Sequence, residues 1–76
     1  MTKEKVTELI NRWIAKGEIT TRSSKVVDLV VYIKPERMIS FIEELQSLIK
    51  TENFSFFDGI ILIYLEGGMK ITVIPQ

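Results

Sequence analysis

The chain has 76 residues, 46% of them apolar and 26% charged, with ten Lys and Arg balancing ten Asp and Glu and with neither Cys nor His. This length supports one small domain over residues 1–76, and burying only roughly 60% of its unfolded surface leaves such a domain marginally stable. The missing residue types exclude disulfide staples, thiolate or imidazole metal centres and His-dependent nucleophilic catalysis; no cofactor and no metal site is expected.

Residues 2–16 carry Val6, Leu9, Ile10, Trp13 and Ile14 at steps of three and four, one apolar stripe of an amphipathic helix. Thr2 suits its N-cap, Lys16 its last turn and Gly17 its left-handed stop. A short strand is expected over Glu18–Arg22, with Arg22-Ser23-Ser24-Lys25 as the turn that follows. Val26 to Ile33 is dominated by β-branched residues, and both of its alternating sets are largely apolar, the pattern of a strand buried on two sides.

Pro35 opens the second helix at its first position, where the missing N–H costs nothing, and Glu36 adds a favourable charge to the first turn. Met38, Phe41, Ile42, Leu45, Leu48 and Ile49 extend its stripe to about Lys50. Thr51–Asp58, with Phe54, Phe56 and Phe57, reads as a connector in which two of the three rings cap the core. Asp58-Gly59 is a turn, Gly59–Leu65 a strand, Glu66-Gly67-Gly68 a hairpin reversal and Met69–Ile74 the returning strand, ended by Pro75.

The order helix, short strand, strand, helix, strand, strand implies an α+β domain: a two-layer sandwich of two helices on a small mixed sheet of three or four strands. The strand–helix–strand unit most simply makes a parallel pair, with the last strand either outside its partner or inserted between the two. If Val27, Leu29, Val31, Ile33, Ile61, Ile63 and Leu65 face the helices, the other face carries Val26, Val30, Tyr32, Ile60, Leu62, Tyr64 and Ile74, interrupted by Asp28, Glu66, Lys70 and Thr72. A lone soluble chain rarely exposes so large an apolar patch. A two-fold homodimer or higher oligomer is therefore expected, with Val30, Tyr32, Ile60, Leu62 and Tyr64 at the interface.

Catalysis finds little support. No phosphate-binding glycine pattern can be written with Gly17, Gly59, Gly67 and Gly68. Glu43 and Glu44 point about 100° apart on a helix, which suits a solvated face better than a shared metal. Asp28, Glu66 and Lys70 resemble a nuclease site only loosely, because a turn separates the last two; a cross-strand ion pair between Glu66 and Lys70 is the simpler expectation. The charge is unevenly spread: residues 1–25 hold three more basic than acidic groups, and residues 26–76 the reverse. Arg12, Lys16, Arg22 and Lys25 make a basic patch that suits nucleic-acid phosphates, the alternative to self-association, whereas Trp13 lies in the core stripe and not on a base-stacking surface. No apolar run approaches the roughly 20 residues that cross a bilayer, and the N-terminus has no apolar stretch of the export type, so a cytoplasmic protein without membrane contact is expected. Twelve Ile against one Ala is the bias of an A+T-rich coding sequence, as in some viruses and archaea.

Overall fold

A computed structural model describes residues 2–25 and 28–76, with the side chains of Thr2, Ser24, Lys25 and Asp28 outside that description. In chain order the elements are α1 (Thr2–Ala15), β1 (Ile19–Lys25), β2 (Asp28–Ile33), α2 (Pro35–Gln46), β3 (Phe54–Phe57), β4 (Ile60–Tyr64) and β5 (Lys70–Pro75). The strands form one mixed sheet in the order β1-β2-β5-β4-β3. Only β2 and β5 are parallel neighbours; every other adjacent pair is antiparallel.

The helices end as their sequences dictate. Gly17 adopts φ +74°, its N–H donates to the Ile14 carbonyl at 2.9 Å, and the Glu18 N–H donates to the Trp13 carbonyl at 3.1 Å. This paired closure satisfies two carbonyls that α1 would otherwise leave open and turns the chain into β1. Pro35 starts α2 after an extended Lys34. The apolar periodicity outlasts the helix: α2 stops at Gln46, and Leu48 and Ile49 follow in a turn whose N–H groups both donate to the Leu45 carbonyl. Ile49 is nevertheless buried, because one further turn carries it over the same core.

Both helices lie on one face of the sheet. Val6, Leu9, Ile10 and Trp13 of α1 and Phe41, Ile42 and Leu45 of α2 pack with Ile19, Val31, Ile33, Phe54, Ile61, Ile63, Ile71 and Val73 in a single cluster. The register puts these strand residues in common rows: Thr21, Val31, Val73, Ile61 and Phe56 form one continuous row across all five strands. Trp13 and Phe41 meet edge-to-face, with centroids 5.0 Å apart and planes at 68°. The Arg37 guanidinium lies 5.4 Å from the Trp13 ring centre, and its Nε sits 3.3 Å from Glu18 Oε2. The Nε–H is not aimed at that oxygen, so the contact is an ion pair without a hydrogen bond; Trp13 Nε1 is likewise buried without an acceptor.

Four expectations need correction. The sheet has five strands, not three or four, because the Phe54–Phe57 stretch pairs with Ile60–Ile63 as β3. Asp58 and Gly59 both take positive φ, 51° and 82°, and close a two-residue hairpin. This extra strand reverses β4 relative to β2, so the parallel partner of β2 is β5 and the simple strand–helix–strand pair does not form. Arg22–Lys25 is no turn: β1 continues to Lys25, with a register shift between Ser23 and Lys25, and β2 begins at Asp28. Val26 and Val27, expected to start the second strand, lie outside the described residues. Finally, Ile14, expected in the α1 stripe, stands at its margin and is 40% exposed.

Candidate interaction surfaces

The alternate residues of the strands form a second face with neither helix upon it. Three rows cross it. Arg22, Val30, Thr72, Leu62 and Ser55 run from edge to edge; Thr20, Tyr32 and Ile74 lie beside them; Lys70 pairs with Tyr64 on β4 and with the backbone of Asp28 on β2. Phe57 and Ile60 pair next to the Asp58-Gly59 turn. Val30, Tyr32, Ile60, Leu62 and Ile74 are half-buried by one another and Tyr64 is 49% exposed, whereas Val31, Ile63, Ile71 and Val73 on the helix face are fully buried. All five expected interface residues, Val30, Tyr32, Ile60, Leu62 and Tyr64, therefore share one surface. The patch is mostly apolar, with Thr72 at its centre between Val30 and Leu62, and is ringed by Thr20, Arg22, Ser55 and Lys70.

The aromatic segment departs from expectation. Phe54 alone is buried; Phe56 and Phe57 are each 67% exposed. Alternation on an edge strand explains this, since Phe54 and Phe56 point to the helix side and Phe57 to the open side, and α2 does not reach far enough to cover Phe56. Phe56 instead closes an apolar groove of about 420 Å³ with Pro35, Met38, Ile39, Ile42 and Ile61, with Glu43 and Gln46 along its rim. Ile39 is the most exposed apolar residue here, at 74%. Sequence periodicity missed this groove because Ile39 falls outside the α2 core stripe and reads as an isolated exception.

The basic residues do not converge on a single plane. Arg12 on α1 and Lys16 just past its end are exposed in the helical layer, while Arg22 is exposed on the opposite side of the sheet, in register with Val30. Lys25 ends β1, and its side chain lies outside the described residues. Among the described residues, Glu66 and Lys70 form no ion pair: Glu66 belongs to the short turn Glu66–Gly68, out of the ladder, and Lys70 is in register with Tyr64. No three carboxylates gather among the described residues. A cleft of about 450 Å³ with a mixed apolar and charged lining lies between Lys3 at the start of α1 and the Leu48–Asn53 and Leu65–Glu66 segments, its Lys and Glu side chains offsetting one another. Among the described residues no helix is long and apolar enough to cross a membrane.

Comparison with known proteins finds no matching family model, no matching curated relative and no matching solved structure.

Proposed function

We propose that this chain is a small non-catalytic interaction module that works as a homo-oligomer, closing the open face of its sheet against a second copy. One observation carries the reading: the face opposite the helices holds Val30, Tyr32, Ile60, Leu62, Tyr64 and Ile74 with no element of the described chain over them. Burying a large apolar side chain is worth about 1.5–3 kcal/mol, so several per subunit rival the stability of the whole domain. A second copy is the natural cover, because a two-fold axis through the patch sets the same mostly apolar surface against itself and brings the polar rim to the periphery.

The size of the face bounds the strength of the contact. Five strands about 4.8 Å apart and four to seven residues long make a plate of roughly 400 Å². Two such plates back to back, about 10 Å apart, reach only the lower end of specific interfaces, and association in the micromolar range is expected.

Light scattering across a concentration series tests the proposal. At about 0.5 M salt, where contacts between charged edges are screened, the mass should rise above that of the 8.8 kDa chain, and Leu62→Lys or Tyr64→Lys should return it there to a folded single chain. A wild type that stays a single chain at millimolar concentration refutes the reading. Nucleic-acid regulation through Arg12, Lys16, Arg22 and Lys25 would take its place if a labelled duplex bound with steep salt dependence and neutralising Arg12 and Lys16 abolished that binding.

A further inference from the structure

The two edges of the sheet differ in a way that the open face does not explain. Beyond the buried Ile19, the cross-strand rows end on β1 in small or polar residues (Thr20, Thr21, Arg22 and Ser23), whereas on β3 an exposed helix-side row ends in Phe56. The surface of the helix adjoining β1 is net basic: Lys3, Lys5 and Arg12, with Lys16 just beyond the helix end, outnumber Glu4 and Glu8, and all six are exposed, Glu8 standing between Lys5 and Arg12 on one stripe. The opposite edge is acidic: Glu36, Glu43 and Glu44 are exposed on α2, and Glu52 and Asp58 flank β3. Ile39 lies between Glu36 and Glu43 on α2, three residues from one and four from the other, beside the uncovered groove. The charge asymmetry of the sequence is thus an asymmetry between opposite edges of one sheet.

Strand direction makes these edges compatible. β1 is antiparallel to β2, β2 is parallel to β5, and β5 reaches β3 through two antiparallel steps, so β1 and β3 run in opposite directions. A second molecule moved sideways beside the first brings its β1 antiparallel to β3, with both helical layers on the same side. Ends correspond as well. Ile19 pairs with Ile33, two residues before Pro35, so the exposed Ile14 near the end of α1 and the groove at Pro35, Ile39 and Phe56 lie toward the same end of the sheet.

We propose that the acidic β3–α2 edge receives the basic β1–α1 edge of another copy, head to tail, with Ile14 and Thr21 of one molecule meeting Ile39 and Phe56 of the next. Two-fold pairing of β3 with itself is disfavoured because it sets Glu43 and Asp58 of both molecules on one seam. The register shift between Ser23 and Lys25 limits β1 pairing to its first residues, which matches the four residues of β3. The contact is short, and its strength depends on the charges. This surface is independent of the open face.

The test uses the full chain carrying Leu62→Lys, which removes the face contact, and two further surface variants in that background. One neutralises the acidic edge by Ile39→Gln and Glu43→Gln, the other the basic edge by Arg12→Gln and Lys16→Gln. All four residues are exposed, so folding is retained, and circular dichroism verifies it. Sedimentation should show concentration-dependent growth of the parent that weakens roughly tenfold or more when salt rises from about 0.05 to about 0.5 M. Each variant alone should remain a single chain, and an equimolar mixture should form a one-to-one pair, because each supplies the edge that the other lacks. Growth that either variant leaves unchanged overturns the proposal. So does a mixture no more associated than its components, a parent that never associates, or a labelled duplex that needs Arg12 and Lys16 while self-association does not.

Discussion

The two faces of this sheet are made of nearly the same amino acids and experience different surroundings. Val31 and Ile63 are fully buried beneath the helices; Val30 and Leu62, their immediate neighbours in the chain, lie half-buried on the other side. Hydropathy alone does not separate the two sets. What separates them is topology: both helices cross on one side, so one face becomes a core and the other becomes a surface that looks like one. Burial in a two-layer fold follows from the number of layers before it follows from the residues.

Paired truncations break or sharpen this contrast. Ile63→Ala should cost about 2–5 kcal/mol, since it opens a cavity among Phe54, Ile71 and the helices. In a domain of this size that loss unfolds much of the population. Leu62→Ala, measured in dilute solution where the chain is alone, should cost less than about 1.5 kcal/mol, because its neighbours already leave it partly in water. Urea denaturation at low and high protein concentration reads both numbers. The difference should narrow as concentration rises, because a second copy turns the open face into an interior. Equal costs at every concentration would mean that the two faces do not differ in the way argued.

The contrast was partly legible beforehand, and the reasons are physical. Strands whose two alternating sets are both apolar announce two buried faces, and two amphipathic helices with one stripe each can cover only one; the mismatch is visible in Val26–Ile33 and Ile60–Leu65 without coordinates. The helices were equally plain from Val6, Leu9, Ile10 and Trp13 and from Phe41, Ile42 and Leu45, whose spacing survives as burial. The strand at Phe54–Phe57 was lost because four residues are too few for a period to show. Its signal lay instead in Asp58-Gly59, a hairpin turn that requires a strand on each side. Missing that strand also reversed the direction expected of β4 relative to β2, while the inserted position of β5 is one of the two placements the sequence allowed. The exposed groove was illegible for another reason: an apolar residue such as Ile39 on a polar helix face has no meaning until the edge strand that stands beside it is known.

The hairpin that creates β3 provides the next test. Gly59 holds φ +82° with open space where a side chain would go, so Gly59→Ala is disfavoured by backbone conformation and not by crowding. The expected loss is about 1 kcal/mol. Gly59→Asn, which tolerates the left-handed region better, should recover part of it. Thermal unfolding of the three chains gives the comparison. An alanine variant as stable as wild type would remove the turn as the device that fixes β3 against β4, and with it the reason for an aromatic edge.

The smallest effect belongs to the clasp between the helices. Glu18 leaves α1 immediately after its glycine stop and meets Arg37 in the first turns of α2, above the Trp13 ring. Both charged side chains retain substantial contact with water, at 43% and 31% exposure, so solvent screens most of their attraction. Glu18→Gln should therefore cost no more than about 0.5 kcal/mol, and less in high salt. Arg37→Met should cost more, about 1 kcal/mol, because it also removes the cation over Trp13, and salt should spare more of that loss. The two variants thus divide the clasp into a screened ion pair and a ring contact that persists. Equal losses for both, vanishing together in salt, would assign the whole clasp to charge and leave Trp13 held by Phe41 and the sheet alone.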